Sequence, residues 1–335
     1  MRFLKWIGII LLILIVVYFL GPQPSRPKYT KDLPLIPGGT QAIENYIKEK
    51  EAKHRIKADN EARITWANDS LKEKTEYAVV YLHGFSASQE EGDPIHFNFS
   101  QKFGCNLYLS RLADHGIDTT EPFADLTADE LWTSAKEAYA IGKQLGKKII
   151  LMATSTGGTL ALKLATEYPD IAGLILLSPN IAINDPNAWM LNNHWGLQIA
   201  RVVKGKYNRA KDTTALYAQY WYNKYRMEGA VQLEELVESS MKESVFKKIN
   251  QPMLMLYYFR DDENQDKVVK VSAMKRMYSQ VSTPENLKRE VAIPNAGDHV
   301  IGSWIKSKDI PKVEEECEKF AIDVLKLKEV SMISQ

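Results

Sequence analysis

The segment Ala153-Thr154-Ser155-Thr156-Gly157 stands between an apolar run, KKIILM, and a helical-looking stretch, GGTLALKLATEYP. Small residues at 153 and 157 permit a sharp strand-to-helix turn, which lifts the Ser155 hydroxyl out at the carboxyl end of a sheet. Such a serine is a candidate nucleophile for acyl transfer. Two other readings are a cap for the following helix and a packing residue. An ordinary serine is a poor nucleophile and needs a base that is itself held by an acid. The chain has six histidines: His54, His83, His96, His115, His194 and His299. His299, in VAIPNAGDHVIGS, follows the last strand-like run, and Asn295-Ala296-Gly297 allows the loop to turn the imidazole inward. It is the expected base. The acid is expected from RDDENQDKVV, which offers Asp261, Asp262, Glu263 and Asp266. Asp266 is preferred, because the apolar pair Val268-Val269 can pin it to the core, and Asp262 is the second choice. The strand end YLHGFSAS places Gly84 where the backbone can bend, so the oxyanion donors are expected to be the N–H groups of Phe85 and Thr156. His83 is expected to hold this loop and not to act as the base.

Positioning these groups requires a sheet. Apolar β-rich runs at 62–69, 77–84, 106–112, 147–154, 172–180, 252–259 and 289–294 alternate with helical patterns. Continuous apolar strands alternating with helices predict a mostly parallel sheet covered on both faces, the α/β class. Thr127 and Glu130 have capping-box spacing for a helix over 127–146, and Gly146 suits its C-terminal stop. Residues 181–250 break the alternation. They hold Trp189, Trp195, Tyr207, Tyr217, Tyr220, Trp221, Tyr222 and Tyr225, and several segments look helical, none strand-like. The stretch is too long for a plain loop. It predicts a helical cap above Ser155, with some of the aromatics, Trp195 among them, lining an apolar entry.

The N-terminus carries an unbroken apolar run from Trp6 to Leu20. Counting Phe3 and Leu4, with Lys5 snorkelling, it reaches 18 residues, which at about 1.5 Å per residue just spans a hydrocarbon core. It ends in Tyr18-Phe19-Leu20 rather than the small residues of a cleavage site. A transmembrane signal-anchor at 1–20 is expected over a cleaved signal, with the catalytic domain outside the cytoplasm. Residues 21–37 contain five prolines and read as a stiff linker. The expected domains are thus the anchor at 1–20, the linker at 21–37, a core formed by 38–180 and 251–335, and the cap at 181–250. With 45% hydrophobic and 25% charged residues and a formal net charge of +1, the composition is globular and carries no nucleic-acid footprint. Cys105 and Cys317 lie far apart without ligand spacing, so neither a disulfide framework nor a metal is expected, and no cofactor.

Taken together, HGFSAS, RLADHG (111–116), ATSTGG, QDKVV (265–269) and AGDH (296–299) make the chain resemble the α/β-hydrolase superfamily, especially its monoacylglycerol lipase, carboxylesterase and serine aminopeptidase-like branch. The resemblance covers about residues 75–327. It has the same order of nucleophile, acid and base, Ser155, Asp266, His299, and it implies a structural role for His115. Two departures stand out: Ala153 replaces the first glycine of G-x-S-x-G, and Asp114 replaces a glycine of the second loop. The expected function is a membrane-anchored serine hydrolase acting on a small-molecule or lipid acyl ester, such as a monoacylglycerol. The alternatives are an amidase or aminopeptidase-like enzyme, for which Glu234 or Glu235 could anchor a free amine, and a non-catalytic binding protein on the same fold.

Overall fold

The computed structural model describes residues 2–330, and of Arg2 the backbone only. Nine strands are present among them: β1 (Arg63–Thr65), β2 (Thr75–Leu82), β3 (Asn106–Leu109), β4 (Gly146–Thr154), β5 (Ile171–Leu177), β6 (Tyr207–Arg209), β7 (Lys224–Arg226), β8 (Met253–Tyr257) and β9 (Lys288–Ala292). Seven form one sheet in the order β1-β3-β2-β4-β5-β8-β9, parallel throughout except for β1, which runs antiparallel to β3 at the edge. The helices are α1 (Arg2–Phe19), α2 (Thr40–Glu51), α3 (Ile95–Lys102), α4 (Ala128–Leu145), α5 (Thr156–Glu167), α6 (Gly196–Lys204), α7 (Ala215–Tyr220), α8 (Met227–Ser240), α9 (Glu243–Phe246), α10 (Val271–Gln280) and α11 (Ile310–Asp323).

The period-2 geometry of a strand divides the core. Ala78, Val80 and Leu82 of β2 face a layer that includes α4, α5 and α10, whereas Val79 and Tyr81 face α3 and α11. The central strands β2 to β5 and β8 are buried on both faces over most of their length, which is why they read as apolar runs. Cys105 and Cys317 are both free and buried on the α3/α11 side.

Thr127 and Glu130 close the expected capping box on α4. Gly146 does not terminate α4 in the left-handed conformation; it is extended (φ −139°) and already belongs to β4. Its lack of a side chain serves packing, since a Cβ there would stand 2.4 Å from the Ala78 nitrogen.

The proline-rich stretch is not a free spacer along its whole length. From Lys28 it is strapped across α4 and α5. The Lys28 and Tyr29 N–H groups donate to the Asp129 carboxylate, Trp132 Nε1 donates to Thr30 O (2.8 Å), and the Tyr168 hydroxyl donates to Lys31 O (2.5 Å). Proline lowers the entropy lost on ordering such a segment.

Between β5 and β8 the chain forms α6 to α9 and a two-stranded antiparallel ribbon, β6–β7. That ribbon corrects the expectation of a purely helical insertion; two three-residue strands are too short to show a period-2 pattern.

The N-terminal run is helical, as α1. Among the described residues, however, no helix is long and apolar enough to cross a membrane. The expected transmembrane helix is corrected: α1 is an 18-residue helix that carries Arg2 and Lys5 within it, short of the roughly 20 consecutive apolar residues a bilayer requires. Its side chains from Phe3 to Phe19 are exposed, while its end touches the β5–β8 segment. Trp195 Nε1 donates to Val17 O (2.9 Å), and the Tyr18 and Phe19 rings lie edge-on to His194.

Candidate active site

Ser155 sits between β4 and α5 with φ 51° and ψ −115°, a backbone conformation that costs energy for any residue with a side chain. The turn is over-determined by its surroundings. The Ser155 N–H donates to Leu177 O (3.0 Å), and Ser155 O accepts from Gly158 and Asn180 (2.9 Å each) and Thr159 (3.2 Å). Gly157 is obligatory, because a Cβ there would fall 1.9 Å from the Leu82 carbonyl oxygen. Ala153, where a glycine is usual, is fully buried within β4. The Ser155 hydroxyl makes no capping bond to α5, so the helix-cap reading is not met.

His299 and Asp266 come together in the loops after β9 and β8. His299 Nδ1 and Asp266 Oδ2 are 2.6 Å apart. The other carboxylate oxygen, Oδ1, accepts the N–H groups of Val268 (2.8 Å) and Val269 (3.0 Å), so Asp266 can turn neither oxygen away. The apolar pair thus fixes the acid through its amides as well as through burial of Val269. Asp262, the second choice, is exposed, and Asp261 is occupied by the N–H groups of Glu263 and Asn264. His299 Nε2 is buried without a hydrogen-bond partner among the described residues. Burial alone would push the His299 imidazole down, but the charge and hydrogen bond of Asp266 outweigh it, with Glu91 and Asp298 adding to them, and hold it above its usual value.

The loop after β2 is held by two neutral histidines. His83 Nε2 accepts the Leu112 N–H (3.1 Å), so its Nδ1–H donates to Gly84 O (2.9 Å). His115 Nε2 accepts the Ser86 N–H (3.1 Å), and its Nδ1–H donates to Ala113 O (2.7 Å). Burial lowers His83 to about 4 and His115 well below its usual value, which keeps both as acceptors. Arg111 steadies the second loop through a buried two-point bond to Glu51, at 2.8 and 3.0 Å, and a bond to His115 O. The backbone N–H groups of Phe85 and Thr156 donate to no backbone acceptor outside regular elements.

Ser155, Phe85, Thr156 and His299 line one cavity of about 820 Å³. Its far wall comes from the β5–β8 segment, with Met190, Ile199, Val203, Leu233 and the aromatic rings of Tyr217, Trp221 and Tyr225. Trp195 is not on this wall; its indole turns to Val17 instead. Glu234 and Glu235 are buried in α8 and neither lines the cavity, which removes the amine anchors considered for a peptidase. Sequence reasoning missed Glu91, which does line it, and assigned no role to Arg111 or Asn180. Among the described residues no group of three His, Cys, Asp or Glu side chains could hold a metal ion.

Comparison with known proteins agrees with this fold. Residues 121–291, just over half of the chain, match the family profile described as serine aminopeptidase, S33; the stretch includes Ser155 and Asp266 and ends before His299. A thermostable monoacylglycerol lipase of Bacillus sp. (strain H-257) is 32% identical over 123 residues, which are 37% of this chain and 48% of that protein. The chain thus spans about half the length of that curated relative. Among solved structures, one from work on the metagenome-derived lipolytic enzymes LipS and LipT superposes with a TM-score of 0.65 at 16% identity, covering 79% of this chain and 98% of that one. Est1E from Butyrivibrio proteoclasticus with bound ferulic acid gives 0.53 at 18% identity, covering 79% and 95%. At such identities the two structures speak for the fold.

Proposed function

This chain belongs to the α/β-hydrolase family described as serine aminopeptidase, S33, and from that membership we propose that it is a serine hydrolase cleaving carboxylic esters of apolar acids, through Ser155, His299 and Asp266. The observation that carries the proposal is the His299–Asp266 pair, whose Nε2 is left without a partner among the described residues and whose imidazole lines the same cavity as the strained Ser155 elbow.

Each group then has a defined task. Asp266, held on Oδ1 by two amides, accepts the Nδ1–H and leaves Nε2 as the basic nitrogen. Nε2 removes the Ser155 proton as Oγ bonds to the ester carbonyl carbon. The carbonyl electron pair moves onto oxygen, where the N–H groups of Phe85 and Thr156 receive it; one such donor contributes roughly 3 kcal/mol in comparable sites. The C–O bond to the leaving alcohol breaks as the imidazolium returns its proton to that oxygen. Water repeats the sequence on the acyl-enzyme, releasing the acid and restoring Ser155.

An ester is favoured over a peptide because Met190, Ile199, Val203 and Leu233 give the cavity an apolar stretch, alongside charged groups such as Asp185, Lys204 and Asp212, and because Glu234 and Glu235 do not line it. Ile199, Val203 and Leu233 give an acyl chain somewhere to go, consistent with a lipid ester such as a monoacylglycerol. Burying a methylene contributes about 0.8 kcal/mol, or up to about fourfold in kcat/KM. With p-nitrophenyl esters from acetate to laurate, kcat/KM is expected to climb at least to the octanoate. Leu233→Trp, which enlarges a side chain of the cavity lining, is expected to penalise the longest esters while sparing acetate. A steady decline beyond butyrate in the native protein would leave a small-ester hydrolase instead.

The exposed apolar surface of α1 supports attachment to a membrane. The full chain is expected to float with phospholipid vesicles in a density gradient, whereas a chain beginning at Lys28, where the strap to α4 starts, remains at the bottom. Equal behaviour of the two would remove α1 from any membrane role.

A further inference from the structure

Glu91 lies on the 3₁₀ turn Gln89–Gly92, is only 3% exposed, and has no part in the acyl transfer just described. Its Oε2 accepts the Gly84 N–H. A Cβ placed on Gly84 would stand 2.7 and 2.9 Å from the two Glu91 oxygens and 3.0 Å from the Ser155 Cβ. Carboxylate, oxyanion loop and nucleophile therefore converge on one point, and Gly84 is the residue that lets them. The same turn is stapled to the chain that follows His299. Ser303 Oγ donates to Glu90 O (2.9 Å), Trp304 Nε1 donates to Glu90 Oε1 (2.8 Å), and the Trp304 N–H donates to Asp93 O (3.0 Å).

We infer that Glu91 is a positioning residue of the active site: its carboxylate holds the Gly84 amide so that the next N–H, that of Phe85, points at the oxyanion, and its charge steadies the His299 imidazolium. The inference rests on the reading that Ser155 and His299 perform the chemistry. A buried carboxylate is costly unless its surroundings repay it, and here those surroundings are specific. Facing Glu91 are His299 and Asp298 from the loop after β9, Tyr217 and Trp221 from α7 and its end, and Tyr81 from β2, with Glu90 beside it on its own turn. Burial lifts the Glu91 carboxyl to about 7, against the pull of the Gly84 N–H, His299 and Trp221, with Asp298 adding to the rise. The coupling to His299 is mutual, since Glu91 is among the groups that raise the imidazole. The sign follows: an ionised Glu91 favours protonated His299, and removing its charge lets His299 lose its proton at lower pH.

The test compares Glu91→Ala and Glu91→Gln with the native protein, using p-nitrophenyl butyrate over a broad pH range together with melting temperature. Glu91→Ala is expected to lower kcat about tenfold or more with KM nearly constant, because a loosened oxyanion donor is felt in the transition state. Glu91→Gln keeps an oxygen for the Gly84 N–H. It is expected to recover most of that kcat, while the acid limb of kcat/KM moves down by about half a pH unit or more. A lowered melting temperature with native kcat in Glu91→Ala, or an unmoved acid limb in Glu91→Gln, overturns the inference. If Glu91→Ala fails to fold, the acid limb of Glu91→Gln decides alone. Ser155→Ala run alongside separates the two levels: turnover surviving there overturns the proposed chemistry itself, not just the part given to Glu91.

Discussion

Ser155→Ala is expected to yield a folded protein with about a 10⁶-fold lower kcat on any ester the native protein cleaves. Labelling by a fluorophosphonate probe should disappear with it. The effect is this large because no neighbour can replace the serine. Thr154 is buried, with its hydroxyl bonded to the Tyr81 hydroxyl (2.8 Å), and the Thr156 hydroxyl is buried at the start of α5 without a partner among the described residues. The fold should persist, since the elbow is held through backbone bonds at 155 and the glycine at 157, none of which uses the hydroxyl. Alanine at 155 must still adopt a positive φ, so a small loss of stability is expected. Undiminished probe labelling would show that another residue is the nucleophile; a native protein that is itself unlabelled would favour the non-catalytic reading.

The second large effect is expected at Asp266. Asp266→Asn should depress kcat by about 10⁴-fold through the imidazole tautomer. The structure specifies why the amide cannot simply rotate to compensate. The Val268 and Val269 N–H groups require an acceptor at the Oδ1 position, so the asparagine oxygen stays there and its NH₂ is turned toward His299 Nδ1. Nδ1 must then accept, Nε2 carries the proton, and the base is blocked. The acid limb of whatever activity is left should also move to lower pH, because the Asp266 charge is what lifts His299 above its usual value. Asp262→Asn, out in solvent, should change kcat less than about twofold. A reversal of the two results would mean that the acid loop reaches the imidazole in another register.

The sheet was legible because a strand segment covered on both faces must be apolar throughout, as residues 78–82 of β2, residues 149–153 of β4, and β5 and β8 are. The elbow was legible because tight packing leaves few residue types possible at 153 and 157. Asp266 could be preferred over its neighbours from the apolar pair behind it, although the amides of that pair do as much as the side chains. Other features left no such mark. Glu90 and Glu91 read as two more surface acids, and nothing in a string of letters shows that one is folded under against Gly84. The β6–β7 ribbon is too short for periodicity to register. An aromatic count over 181–250 predicted an apolar roof, but not that Trp221 and Tyr217 would line it while Trp195 turned toward α1. The helix at the N-terminus was legible from its apolar run almost to the residue, Leu20 still donating to Val16 O; that its end would dock on Trp195 and His194 was not.

Gly157 packed against the Leu82 carbonyl has a mechanical consequence. With no side chain between them, the start of α5 and the end of β2 move as one body, and the span from the attacking oxygen to the Phe85 amide is decided when the chain folds. If Ser155 and the Phe85 N–H act as proposed, an active site built this way needs no assembly step for its oxyanion hole. Whatever gating its turnover shows must reside in the segment between β5 and β8, whose movements admit or release a ligand without retuning the atoms that react with it.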